Sequence, residues 1–196
     1  MKAATLASAA FVFAFFFAMP STRATDDDLV VNSQPVSLHS LEGHEYAQCL
    51  DGSPAAYFYR PAYNASYEDK WVIALQGGGE CVEEQACLNR SSTDLGSSAN
   101  YSAGSLNGTE LMTQFQDARF SHNPDFFGWH HVLVPYCTGD LWLGEVREPD
   151  PSLQWGWARF SGAFVVDAVL TDLGAPPPPP PPSPPPPPPA AAPPAA

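Results

Sequence analysis

The sequence is short of positive charge: 8 Lys and Arg stand against 21 Asp and Glu, for a formal net charge of −13 over 196 residues. Affinity for nucleic acid and for anionic membrane surfaces rests on Lys and Arg, so neither is an expected partner, and a strongly acidic substrate is disfavoured for the same reason. Long apolar runs are also scarce. The stretch Ala9 to Met19 is too short to span a bilayer. It follows Lys2 and leads through small residues to Ala24, the pattern of a secretory signal cleaved after Ala24. Cleavage there removes Lys2 and Arg23 and leaves a charge of −15 with no membrane segment. Cysteine is limited to Cys49, Cys81, Cys87 and Cys137, and no histidine stands near them at metal-ligand spacing. An even set behind a secretion signal therefore reads as two disulfides, with the pairing open and with no metal or cofactor called for.

Proline is abundant but confined. Of 23 prolines, 15 lie between Pro176 and Pro194. A run such as Pro176 to Pro182 lacks backbone donors and has φ fixed, which leaves it the polyproline II helix. Residues 175–196 are thus expected to form a proline-rich tail, of which Pro176 to Pro189 would span roughly 43 Å at about 3.1 Å per residue. Between signal and tail, Thr25 to Gly174 make 150 residues, enough for one domain core but not two. Four glycosylation acceptors, at Asn64, Asn89, Asn100 and Asn107, suit an extracellular surface.

Residues 25–48 open on Asp26-Asp27-Asp28, show little periodicity and read as a solvated lead-in. Ala56 to Arg60 is aromatic and strand-like between Pro54 and Pro61. Trp71 to Leu75 is a continuous apolar run suited to a strand buried on both faces, and Gly77-Gly78-Gly79 ends it. A helical turn is expected from Val82 to Leu88, a loop from Ser91 to Gln116 with a short helix near Glu110 to Phe115, and a second buried strand from His131 to Tyr136. Phe160, Phe164, Ala168, Val169 and Leu173 recur at helical spacing, predicting a helix from about Arg159 to Leu173 that Gly174 stops. This alternation is the grammar of an α/β sheet.

A glycine triplet after a buried strand in a secreted α/β protein suggests an oxyanion hole, because such a loop supplies backbone N–H groups to a developing negative charge. A glycine-rich turn without a ligand has the same composition. Four strings narrow the choice: Leu50-Asp51-Gly52-Ser53-Pro54-Ala55-Ala56-Tyr57, Leu75-Gln76-Gly77-Gly78-Gly79-Glu80-Cys81, Asn123-Pro124-Asp125-Phe126-Phe127 and Pro135-Tyr136-Cys137-Thr138-Gly139-Asp140. In this order the chain, from about Cys49 to Leu173, resembles the pectin acetylesterase/Notum family of secreted carboxylester hydrolases. The resemblance implies the N-terminal half of an α/β-hydrolase sheet over residues 49–174. It also implies an oxyanion loop at Gly78 and Gly79, and disulfides Cys49 with Cys137 and Cys81 with Cys87.

The family's nucleophile sits in a Gly-x-Ser-x-Gly elbow after the last expected helix, followed by Asp and His. The 196 residues hold no such elbow; Asn100-Tyr101-Ser102-Ala103-Gly104 lacks the first glycine. No catalytic Ser, Asp or His is therefore assigned, and the chain as written is expected to be inactive. Glu80 stands where the family usually has Trp, and a carboxylate there opposes oxyanion charge unless it faces solvent. His130 and His131 adjoin on a strand and point to opposite faces, which disfavours a catalytic role. Trp142, Trp155 and Trp157 suit packing or stacking on sugar rings. Two functions compete: a secreted hydrolase deacylating a cell-wall polysaccharide or another acylated extracellular substrate, and a non-catalytic, hydroxyproline-rich cell-wall glycoprotein attached through its tail. Half a sheet would also expose an edge prone to association.

Overall fold

The computed structural model describes residues 30–102, 116–152 and 155–174. The signal, the short helix expected at Glu110 to Phe115, the acceptor Asn107 and the proline tail lie outside them. Four strands form one mixed sheet: β1 (Ser37–Ser40), β2 (Ala56–Arg60), β3 (Trp71–Leu75) and β4 (His130–Val134), in the order β1-β2-β4-β3. β2 is antiparallel to both β1 and β4, whereas β3 runs parallel to β4 with Trp71 opposite His130 and Leu75 opposite Val134. Two helices follow the parallel strands, α1 (Glu84–Arg90) after β3 and α2 (Gly162–Asp172) after β4. The strands expected at Ala56–Arg60 and Trp71–Leu75 have those ends, whereas the second parallel strand and the two helices are present with shifted ends, since termini are the positions where periodicity carries least information.

Alternation along β2 divides the core. Tyr57 faces one side, where it meets Val132 and Val134 of β4 and the Val165, Ala168 and Val169 stripe of α2. Phe58 faces the other, packed with Leu133 and flanked by Leu38, Ala74 and Tyr101. Val165 and Val169 are one helical turn apart and buried, which seats α2 over β2 and β4.

Two expectations change. The polar segment 25–48 is not a solvated lead-in over its described part: it supplies β1, puts Leu41 and Ala47 in the core, and buries Asn32. Asn32 donates through its side-chain amide to Pro61 O at 3.1 Å, and its backbone N–H bonds to Ala118 O at 2.8 Å. The packed region thus begins well before residue 49. Charge near its start masked it, because β1 is short and pairs on one side only. The run Trp71 to Leu75 is likewise not buried on both faces. Among the described strands β3 is an edge, and Trp71, Ile73 and Leu75 remain 37%, 39% and 42% exposed. α2 covers the neighbouring strands and stops short of them.

Candidate functional site

The C-terminal ends of β3 and β4 release two loops side by side, and in sheets with parallel strands such ends are where ligands gather. Gln76 ties the loops together. Its N–H donates to Val134 O at 3.0 Å, and its side-chain Oε1 accepts from Tyr136 N at 3.0 Å. Beyond Gln76 the chain needs glycine for steric reasons. A Cβ on Gly78 would sit 2.6 Å from the Tyr136 ring, and Gly79 has φ +73°, a left-handed conformation that side chains disfavour. The amides of Gly77, Gly78 and Gly79 donate to no protein acceptor among the described residues, and all three residues are exposed. Successive free N–H groups make a concavity that favours anions.

The flanks of this loop are fastened. Cys81 N donates to Gly139 O at 2.8 Å, and Cys81 is joined by a disulfide to Cys87 on α1. Arg90, also on α1, donates through Nη2 to Gly78 O at 2.9 Å. A second disulfide, Cys49 to Cys137, holds the β1–β2 connection against the end of β4. Asp140 organises the facing loop: its carboxylate accepts from Thr138 Oγ1 and Gly162 N at 2.6 Å, and from Trp142 N and Gly144 N at 3.1 Å. Leu141 and Trp142 both have positive φ, at 56° and 66°. They hold that conformation because Asp140 binds one amide and the Tyr136 hydroxyl accepts the other, from Leu141 N, at 2.6 Å. Burial pushes the Tyr136 hydroxyl above its ordinary pKa, so it stays protonated.

Gly78 and Gly79 therefore lie in one loop with free donors, and the Cys81–Cys87 disulfide expected beside them follows directly. Glu80 is exposed and makes no hydrogen bond or ion pair among the described residues, so it faces solvent. His130 and His131 do point to opposite faces. His130 stacks against both Trp71 and Tyr59, with centroids 4.1 and 5.7 Å away, while His131 is fully buried beside Arg60. Neither reaches the glycine loop. Trp142 packs on Tyr136 and donates to Gln76 O at 3.3 Å, and Trp155 and Trp157 pack around Leu50, Cys87 and Ala158. Asn64, Asn89 and Asn100 are exposed. Among the described residues no group of three His, Cys, Asp or Glu is arranged to hold a metal ion. Sequence reasoning missed Arg90, Tyr136 and Asp140 as site-forming residues. Only Asp140 carries a local signal, since an Asp just after Thr-Gly caps turns through its own side chain.

The family model for Pectinacetylesterase matches residues 29–176. Over 149 residues the chain is 32% identical to Pectin acetylesterase 11 of Arabidopsis thaliana, covering 75% of this chain and 36% of that protein. It is 33% identical over 133 residues to the Palmitoleoyl-protein carboxylesterase NOTUM of Schmidtea mediterranea, covering 64% of this chain and 22% of the relative. The solved structure of the Wnt deacylase Notum from Drosophila superposes with a TM-score of 0.56 at 26% identity, over 71% of this chain and 38% of that one. The chain thus spans about a third or less of the curated relatives named here. Its mixed sheet with helices is the α/β-hydrolase-like fold of that structure.

Proposed function

This chain belongs to the pectinacetylesterase family, and from that premise we propose that its described residues form the oxyanion-stabilising side of a secreted carboxylester hydrolase acting on an acylated extracellular substrate, such as an acetylated cell-wall polysaccharide. The observation that carries the reading is the row of unpartnered amides at Gly77, Gly78 and Gly79 at the end of a parallel strand. In acyl transfer an attacking oxygen adds to the ester carbonyl, and the former carbonyl oxygen takes up the negative charge. Gly78 and Gly79 N–H groups would donate to that oxygen. Losing one such donor typically costs about 10² to 10³ in rate.

A donor loop alone is insufficient for covalent turnover, which needs an activated nucleophile. With no Gly-x-Ser-x-Gly elbow in the 196 residues, the chain by itself is proposed to give no turnover of p-nitrophenyl acetate that a serine-directed fluorophosphonate abolishes. The two disulfides and the exposed acceptors Asn64, Asn89 and Asn100 support secretion.

The test of the loop is anion binding. In the 196-residue chain labelled with ¹⁵N-glycine, titration with methylphosphonate, a tetrahedral anion, is expected to shift the Gly78 and Gly79 amides and leave Gly162 in place. Equal or absent responses at these glycines would sink the oxyanion reading. They would favour the second function, a non-catalytic cell-wall glycoprotein, for which the 15 prolines after residue 175 speak.

A further inference from the structure

Arg90 ends α1 and lays its guanidinium along the glycine loop. Nη2 donates to Gly78 O at 2.9 Å and comes within 3.8 Å of where a Cβ on Gly79 would stand, while Cδ lies 3.8 Å from the same position on Gly139. This is the guanidinium's one hydrogen bond among the described residues. Nη1 is buried and has no hydrogen-bond partner among the described residues. Leaving a charged N–H buried and unpaired is costly, so the side chain is not held there by its own hydrogen bonding. What it does satisfy is a single carbonyl in the most pliable stretch of the site.

The direction of that carbonyl matters. The chain has no cis peptide among its described residues, so the Gly78–Gly79 peptide is trans and its N–H points opposite to its C=O. Glycine visits both signs of φ at little cost, and a peptide between two glycines can rotate as a unit about its flanking bonds. Rotated, it would aim a carbonyl oxygen at the open side of the loop, where it would repel an anion. With Gly78 O held by Arg90, the Gly79 N–H is turned away from α1 toward that open side. The Cys81–Cys87 disulfide ties the middle of α1, and with it Arg90 one turn on, to the end of the loop.

We propose that Arg90 is the positioning residue of the glycine loop, fixing the Gly78–Gly79 peptide so that the Gly79 N–H faces the anion-binding side. The role rests on reading this loop as an oxyanion site, and it is separable from that reading by experiment. Arginine suits the task because its planar fork sets the bond direction, which a lysine ammonium does not.

The experiment measures the orientation of the Gly79 N–H bond from its residual dipolar coupling in the aligned, ¹⁵N-glycine-labelled 196-residue chain. Arg90→Met is expected to change the Gly79 coupling or split the Gly79 signal, with Gly52 and Gly162 unmoved as markers of an intact fold. Arg90→Lys, which keeps the charge but not the planar fork, is expected to change the Gly79 coupling by less than methionine does yet still measurably, and it decides the matter if the methionine variant unfolds. Wild-type coupling at Gly79 in a folded variant overturns the proposal, whatever the methylphosphonate titration gives. A changed coupling together with an unresponsive wild-type titration upholds the positioning and sinks the oxyanion reading alone.

Discussion

Arg60 donates to Nδ1 of His131 at 3.2 Å in the interior of the sheet, and both residues are fully buried. The guanidinium has no lone pair with which to accept, so Nδ1 must be the acceptor and the ring proton must sit on Nε2, where it donates to Phe126 O at 2.7 Å. Both nitrogens of a neutral histidine are thereby used. A second proton would have to enter between the ring and a positive charge.

That arrangement sets an acid limit on stability. Burial first, and Arg60 second, pull His131 from its ordinary 6.5 down to about 4, although the Phe126 carbonyl works the other way. The unfolded chain binds this proton more readily than the folded one, so the contribution is complete above pH 6.5. It is lost as pH falls from 6.5 through 4, by about 3 kcal/mol in total. Urea midpoints measured across that range are expected to fall with acidification. In His131→Gln, whose amide can accept from Arg60 and donate to Phe126 O, the slope between pH 6.5 and 4 should flatten.

Asp140→Ala is expected to destabilise the domain by about 2 to 4 kcal/mol. It strands backbone amides of Trp142, Gly144 and Gly162 that the carboxylate now accepts, and hydrogen bonds to charged groups are worth about 1.5 to 3 kcal/mol each. Chemical unfolding with an unchanged m-value would register it. A loss below roughly 1 kcal/mol would mean that water replaces the carboxylate.

The two disulfides should differ in weight. Cys49 and Cys137 are 88 positions apart and Cys81 and Cys87 only 6. On the loop-closure model the long link is worth about 4 to 5 kcal/mol and the short one about 2. Paired replacement by serine, read by thermal unfolding, is expected to lower the midpoint more for Cys49 with Cys137. The opposite ranking would mean that the short bridge acts on the folded loop rather than on the unfolded chain.

Trp71, Ile73 and Leu75 present an apolar row on the edge strand β3, and an unguarded apolar edge recruits other strands. Light scattering on the 196-residue chain is expected to show association that Ile73→Lys reduces, a charge at the centre of the row being a common guard. Association unaffected by that change would locate the sticky surface elsewhere.

Much of this was legible in the residues. Trp71 to Leu75 and the glycines after it announced a strand and its abrupt end, because β-branched and glycine residues have opposite backbone preferences. The spacing of Phe164, Ala168 and Val169 announced α2. The four short strings pointed to the family and, through it, to Gly78 and Gly79. What stayed hidden depends on contacts distant in sequence. β1 carries Ser37 and Ser40 at its ends and reads as polar until β2 is set beside it. Arg90 carries no local signal, and only the fold brings it to a carbonyl 12 positions earlier. The exposure of β3 was misjudged because a run of apolar residues records what a strand prefers to touch, not whether the neighbour is there.

Tyr136 touches both sides of the site at once: its ring fills the place of a Gly78 side chain, and its hydroxyl receives the Leu141 amide. The glycine loop and the Leu141–Leu143 segment are in that sense two jaws on a common hinge pin. A push on either is passed to the other through a rigid aromatic lever. A displacement of either jaw must therefore disturb a contact that this one phenol ring makes.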